Sequence, residues 1–116
     1  MAKTNFNDVK VDTLETARIE AARIVGGRGS KTIAVDTALT DAEKATYLEV
    51  TASAASKVLT LGLKNGEIMF LKNAGATNAF TAKNIAGDTG VSVATGKTAL
   101  CVGGTTADTF VCTVLN

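Results

Sequence analysis

Residues 57–116 read KVLTLGLKNGEIMFLKNAGATNAFTAKNIAGDTGVSVATGKTALCVGGTTADTFVCTVLN. Short runs rich in branched apolar side chains and threonine alternate with tight glycine turns, at 64–66, 73–75, 86–90, 95–97 and 103–104. Side chains branched at Cβ favour strands, and glycine beside Asn or Asp favours turns. The pattern predicts a mainly β domain, an antiparallel β-sandwich built from about seven short strands.

The clearest local signal is a hairpin centred on Asn65 and Gly66, the preferred pair for a type I′ turn. The flanking strands are predicted at 57–64 and 67–72. With a two-residue loop, both faces of this hairpin would be substantially apolar, whereas a strand pair exposed on one side alternates more cleanly. We therefore expect the second sheet to cover one face of the hairpin and a further element to cover the other face. We favour a neighbouring subunit as that further element.

The hairpin register assigns the apolar side chains to the two faces. One face would carry Leu61, Leu63, Ile68 and Phe70. The other would carry Met69 opposite Gly62 and Leu71 opposite Thr60. Met69 and Leu71 are accordingly the candidate subunit-interface residues.

The remaining chain adds further elements to the predicted sandwich. Strands are expected at 32–39, 47–51, 79–85, 91–93, 97–102 and 109–115. A one-turn helix or loop with a Thr/Asp cap is expected at 40–45. Asp88 lies in a glycine turn and is interpreted as a turn residue whose side chain bonds locally.

The first 30 residues are predicted to form a separate arm, short helix and glycine-rich hinge, with the β-sandwich domain covering 31–116. Residues 12–15 read DTLE, which is typical of a helix-capping box. The apolar spacing that follows favours a helix over 12–25, although alternation also allows a strand there. The hinge, 26–32, is GGRGSKT. A phosphate-binding loop needs Gly, Lys and Ser/Thr in direct succession, whereas Ser30 here separates Gly29 from Lys31.

The amino-acid composition limits the classes of function that we expect for this chain. The chain has 116 residues, a formal net charge of +1, and neither histidine nor tryptophan. Nucleophilic catalysis needs a base beside the nucleophile, and nucleic-acid binding usually needs a basic excess on one face. We therefore expect no enzyme activity, catalytic residue, metal site, cofactor, small-molecule substrate or nucleic-acid partner. The sequence also contains no transmembrane segment or signal peptide, which favours cytoplasmic synthesis without a membrane partner.

Two cysteines lie on consecutive predicted strands. A register that pairs Val102 with Thr109 or Val111 would place the thiols of Cys101 and Cys112 together, where a disulfide is possible. Pairing Val102 with Phe110 would point them to opposite faces. In either case we expect reduced thiols that act as small buried hydrophobic groups.

Residues 72–90, KNAGATNAFTAKNIAGDTG, followed by VSVATGKTAL at 91–100, carry a family resemblance. This succession of turns and small residues resembles the β-domains of tailed-bacteriophage virion proteins, namely capsid decoration (cement) and head-fibre proteins. The short capping turn at 39–42 is similar to those domains as well. The resemblance implies a jelly-roll-like sandwich, assembled as a trimer at local three-fold sites on the capsid exterior of a virion.

In such a protein the N-terminal arm would contact the major capsid protein. The candidate capsid contacts are Phe6, Val9, Val11 and Leu14. The resemblance implies a structural protein, made in the host bacterial cytoplasm, that stabilises the capsid. Two alternatives stay open: a phage tail or fibre domain that binds a host surface, and a small carbohydrate- or ligand-binding β-sandwich module.

Overall fold

The computed structural model of the chain describes residues 27–116. This part forms nine strands: β1 Arg28–Ile33, β2 Thr37–Ala38, β3 Tyr47–Ala52, β4 Lys57–Thr60, β5 Ile68–Asn73, β6 Phe80–Lys83, β7 Val91–Val93, β8 Thr98–Val102 and β9 Val111–Val114. A 3-10 turn, Asp41–Glu43, lies between β2 and β3. The predicted arm and the helix over 12–25 lie outside the described residues. In 27–116 no helix is long and apolar enough to span a membrane.

The strands form two sheets whose inner faces share one core. The five-stranded sheet has the order β9-β8-β5-β3-β1, and the four-stranded sheet has the order β2-β4-β6-β7. Side chains from both sheets form one buried cluster, which contains the Phe80 ring and against which Phe110 packs. The prediction of a mainly β, sandwich-like domain is confirmed.

The strand pairing is mixed, so the expectation of an antiparallel, jelly-roll-like arrangement is wrong. β1, β3 and β5 are parallel neighbours in one sheet, and β2, β4 and β6 are parallel neighbours in the other. Only the pairs β6–β7, β5–β8 and β8–β9 of the described strands are antiparallel. Parallel neighbours need a crossover connection. Here a strand of the opposite sheet supplies each crossover, so the chain winds back and forth between the sheets from β1 to β6.

The predicted hairpin is not formed, because β4 and β5 belong to different sheets. A turn does occur at the expected place, where the Glu67 backbone N–H donates to the Lys64 carbonyl oxygen at 2.9 Å. Gly66 has a φ of 82° while Asn65 keeps a negative φ. A type I′ turn needs positive φ at both central residues. The turn therefore redirects the chain to the other sheet instead of folding it back beside β4.

The glycine-rich segment predicted as a hinge is a strand from Arg28 onward. β1 pairs with β3 over its whole length, from Arg28 opposite Tyr47 to Ile33 opposite Ala52. The predicted boundary between residues 30 and 31 thus falls inside a strand. The strand expected at 32–39 is divided between β1 and β2, which lie in different sheets.

The capped turn at 40–45 is confirmed as the Asp41–Glu43 3-10 turn. The Thr40 backbone N–H donates to Glu43 Oε1 at 2.9 Å. Glu43 also forms an ion pair with Lys31 of β1, and Asp41 pairs with Lys44 at 2.9 Å. The Glu43–Lys31 pair therefore anchors the turn to the sheet, whereas the Asp41–Lys44 pair lies within the turn itself.

Candidate functional site

The outward side of the five-stranded sheet carries three of the six large apolar side chains that are exposed in residues 27–116, namely Ile68, Phe70 and Val111. Strand alternation sends Met69 and Leu71 inward and their neighbours Ile68 and Phe70 outward. We use the term apolar face for the outward group Tyr47, Ile68, Phe70, Leu100, Val102 and Val111. Ile68 is 48% exposed, Phe70 37% and Val111 55%.

The strand register makes this face contiguous. One row across the sheet runs Ile68–Val102–Val111, and the next contains Tyr47–Phe70–Leu100. Since neighbouring strands lie about 4.8 Å apart, the four strands from β3 to β9 span on the order of 15 Å. Monomeric soluble proteins rarely expose contiguous apolar patches larger than roughly a few hundred Å², and larger patches mark interaction sites.

Charged residues border the apolar face on the side of the edge strand β1. Arg28 forms an ion pair with Glu49 at 3.2 Å, and its guanidinium carbon lies 4.9 Å from the centroid of the Tyr47 ring. Lys72 pairs with Glu49 in the strand register. An apolar centre with a polar margin is the usual anatomy of a protein–protein interface.

The outward side of the four-stranded sheet differs in character. Its outward residues are small or polar, namely Val58, Thr60, Thr81, Lys83 and Ser92. A sheet face in contact with water usually has this composition. Among residues 27–116 the two outer faces therefore contrast, since the five-stranded sheet carries large apolar groups outward and the four-stranded sheet does not.

The candidate interface residues Met69 and Leu71 are incorrectly assigned. Met69 is 1% exposed and Leu71 is fully buried, so both contribute to the core of this chain. The assumed hairpin also placed Leu61 and Leu63 on one face with Ile68 and Phe70, whereas the two leucines are buried. Without the hairpin, their orientation is set by the passage of 61–67 between the sheets. The capsid-contact candidates Phe6, Val9, Val11 and Leu14 lie outside the described residues.

Two buried asparagines connect the sheets at opposite ends of the domain, and the sequence interpretation missed both. The Asn84 side chain accepts from the Leu63 N–H at 2.6 Å and donates to the carbonyl oxygens of Leu63 and Gly104, at 3.0 and 2.9 Å. The Asn73 amide donates to the carbonyl oxygens of Asn78 and Val93, both at 2.9 Å. In the sequence each of these asparagines lies at the end of a strand. That position does not distinguish a buried asparagine that connects two sheets from an ordinary turn residue.

The prediction that Asp88 is a turn residue whose side chain bonds locally is confirmed. The same side chain also bonds to a distant loop. Its carboxylate accepts from the backbone N–H groups of Asn84, Ile85 and Asp108, at 2.7, 3.0 and 2.8 Å. Burial by itself would raise the pKa of this carboxyl group. The backbone donors together outweigh burial and hold the pKa below its ordinary value of 3.8. The charged carboxylate is therefore the form that the fold stabilises.

We expect Asp88→Asn to destabilise the domain at neutral pH, because an amide nitrogen would replace an oxygen that accepts hydrogen bonds. A depressed folded-state pKa contributes stability above the unfolded pKa, and this contribution is lost as pH falls through the folded pKa. The difference in unfolding midpoint between the parent and the variant should therefore shrink below about pH 4. Thermal unfolding across a pH series measures it. Asp41→Asn, at an exposed carboxylate, is the control, and an equal effect of both variants at all pH values would contradict the prediction.

The two cysteines face each other across β8 and β9. Val102 pairs with Val111, which places Cys101 directly opposite Cys112, and the two Sγ atoms are 3.3 Å apart. Both thiols are free. The hydrogen bond between them, together with burial, raises the pKa of the Cys101 thiol, and the same bond lowers the pKa of Cys112.

Two further observations bear on ligand binding within residues 27–116. A depression lined by Gly27, Lys44, Glu67 and Ile68 lies at one end of the apolar face. Within 27–116 no group of three or more His, Cys, Asp or Glu side chains is placed to hold a metal ion. Comparison of the chain with protein-family models, with curated proteins and with solved structures found no match.

Proposed function

We propose that the protein is a structural component of a bacteriophage virion, which decorates the capsid exterior and stabilises it. In this proposal the domain assembles as a trimer at local three-fold sites, and the N-terminal segment contacts the major capsid protein. The protein has no catalytic role, cofactor or small-molecule substrate. The observation that carries the proposal is the apolar face of the five-stranded sheet.

The contrast between the two outer faces supports assembly through the apolar face. A second copy of the chain is its proposed occupant, because interfaces between identical subunits are more apolar than the rest of a protein surface. The six side chains of the face include two aromatic rings, Tyr47 and Phe70, and no charge. Aromatic side chains commonly dominate binding energy at such surfaces.

The start of the described chain supports a role for the N-terminal segment near the same surface. Gly27 lines the depression that also contains Ile68, and its carbonyl oxygen accepts from the Tyr47 N–H at 3.2 Å. The preceding segment, residues 1–26, therefore joins the domain beside one end of the apolar face. Phe6, Val9, Val11 and Leu14 remain the proposed capsid contacts within that segment.

The resemblance of residues 72–100 to capsid decoration and head-fibre proteins directs the proposal to a virion. We expect the purified full chain to have three times the mass of one 11.8 kDa subunit by light scattering. It should also bind expanded heads that lack it and raise the temperature at which those heads release their DNA. Removal of residues 1–26 should leave the trimer intact and weaken head binding, because the trimer contacts lie in the domain.

Failure of the full chain to bind expanded heads or to change their heat resistance would exclude the decoration role. If the chain forms a trimer that binds no head, the proposal of assembly through the apolar face would stand. The proposed function would then move to another part of the virion. A monomer at every concentration would remove the support that the apolar face gives to a trimer.

A further inference from the structure

The cysteine pair occupies a special position in the antiparallel ladder of β8 and β9. The Leu115 N–H donates to the Thr98 carbonyl oxygen at 2.7 Å, which makes this pair a hydrogen-bonded one. Hydrogen-bonded and non-hydrogen-bonded pairs alternate along an antiparallel ladder. Three residues further along the same register, Cys101 and Cys112 form a non-hydrogen-bonded pair.

This position suits a covalent bridge. In non-hydrogen-bonded pairs the Cα atoms are about 4.5 Å apart and the side chains are closest. That spacing lies within the range of roughly 4.4–6.8 Å over which disulfides form without backbone movement. The Sγ atoms already lie 3.3 Å apart, on the same side of the sheet. Only a short approach of the two sulfur atoms separates the dithiol from a disulfide.

The two cysteines differ in their exposure to solvent. Cys101 is fully buried, with Met69 as its neighbour on β5 and Cys112 as its neighbour on β9. Cys112 is half-buried on β9, which is an edge strand of the sheet. A small reagent in solution can therefore reach the sulfur of Cys112 before that of Cys101.

We propose that Cys101 and Cys112 are a site of reversible oxidation, at which a low-molecular-weight disulfide such as glutathione disulfide converts the thiol pair into an intrachain bridge. The bridge would fasten the C-terminal strand β9 to β8. It would also hold Val111, an apolar-face residue next to Cys112, in its register. The inference does not depend on the proposed capsid role.

The reaction proceeds by two exchanges. The Cys112 thiolate attacks one sulfur of glutathione disulfide, the glutathione S–S bond breaks, and one glutathione leaves as a thiolate that takes up a proton. Cys101 then gives its proton to solvent and attacks the Cys112 sulfur of the mixed disulfide, and the second glutathione leaves. Two protein thiols are oxidised by two electrons, while one glutathione disulfide is reduced to two glutathione thiols.

The difference in burial between the two thiols assigns the order of attack. Cys112 is half-buried on the edge strand β9 whereas Cys101 is fully buried, and the hydrogen bond between the two sulfur atoms also lowers the pKa of Cys112. The thiolate is the form that attacks a disulfide. Cys112 is therefore the attacking residue and Cys101 the resolving one.

The test is incubation of the folded full chain with glutathione disulfide, followed by mass spectrometry and alkylation of the remaining thiols. We expect a loss of two hydrogen atoms, no retained glutathione and protection of both cysteines from alkylation. Because the bridge constrains the unfolded chain, oxidation should raise the unfolding midpoint by roughly 10 °C, reversibly on reduction.

Two variants make the test specific. In Cys101→Ala the mixed disulfide at Cys112 should persist, since the resolving thiol is gone. In Cys112→Ser the buried Cys101 should stay unmodified in the folded protein, and this variant remains informative if Cys101→Ala fails to fold. The proposal is overturned if the parent keeps two free thiols, retains glutathione at Cys112, or forms disulfide-linked dimers.

Discussion

Replacement of Asn84 with aspartate should lower the free energy of unfolding by about 3 kcal/mol or more. The Asn84 amide donates to two buried carbonyl oxygens, those of Leu63 and Gly104. An aspartate of the same shape would place an oxygen against both acceptors and leave them unsatisfied. Each unsatisfied buried group costs about 1–3 kcal/mol, and a buried charge without a partner costs more.

The size of this effect follows from the position of Asn84 between the sheets. The residue follows β6 of the four-stranded sheet, while its partners lie in the segment after β4 and in the loop after β8. The substitution would therefore separate three segments at one end of the core. Since domains of this size are stable by only about 5–15 kcal/mol, a large fraction of the stability would be lost.

Chemical denaturation of the parent and of Asn84→Asp measures the difference. The matched control is Asn65→Asp, at an exposed asparagine in the turn between β4 and β5. The control should change the free energy of unfolding by less than about 0.5 kcal/mol. Similar small effects at both positions would show that the Asn84 hydrogen bonds do not hold the sheets together.

Phe70→Lys should weaken self-association of the protein by at least about 30-fold. Phe70 lies at the centre of the apolar face, between Tyr47 on β3 and Leu100 on β8. A lysine there would introduce a charge into a surface that association removes from water, and it would delete an aromatic contact. Because the parent side chain is 37% exposed, the monomer fold should lose much less stability than the assembly.

Light scattering and sedimentation over a range of concentrations distinguish the two effects. Ser92→Lys adds the same charge to the outward side of the four-stranded sheet and should leave the mass of the assembly unchanged. Circular dichroism verifies that both variants fold. An unchanged assembly in Phe70→Lys, or equal dissociation by both variants, would contradict assembly through the apolar face.

The sequence predicted the positions of the strands better than their partners. The strand expected at 47–51 is observed as Tyr47–Ala52, and the one at 91–93 is observed without change. The capped turn and the bonding of Asp88 were also predicted correctly. These features depend on neighbouring residues, since turn propensity and alternation act over a few positions.

The partner of each strand could not be predicted in the same way. The Asn65–Gly66 pair favoured a hairpin, yet the chain leaves the four-stranded sheet after Leu61 and Gly62, whose N–H groups donate to the carbonyl oxygens of Lys83 and Asn84. Gly62 adopts a φ of 65° where the chain turns away. Whether successive strands share a sheet depends on contacts between residues distant in sequence, which local patterns do not encode.

At the candidate site, too, local features could be predicted and the arrangement of distant segments could not. An excess of apolar residues around residue 68 was apparent, and two of these residues, Ile68 and Phe70, lie on the outward side of the five-stranded sheet. The assignment of faces was reversed, because alternation separates the two sets of side chains on a strand but does not decide which set faces the core. Met69 and Leu71 are therefore buried, and Ile68 and Phe70 form the apolar face.

A mainly β chain, with strands and turns near their observed positions, could be predicted from the residues alone, because backbone preference and side-chain alternation are local properties. The three-dimensional structure was needed to find the mixed sheets, the outward face, the buried Asn73 and Asn84 and the meeting of Cys101 with Cys112. Each of these depends on which distant segments lie side by side. That choice is made by the free energy of the whole core, to which every strand contributes at once.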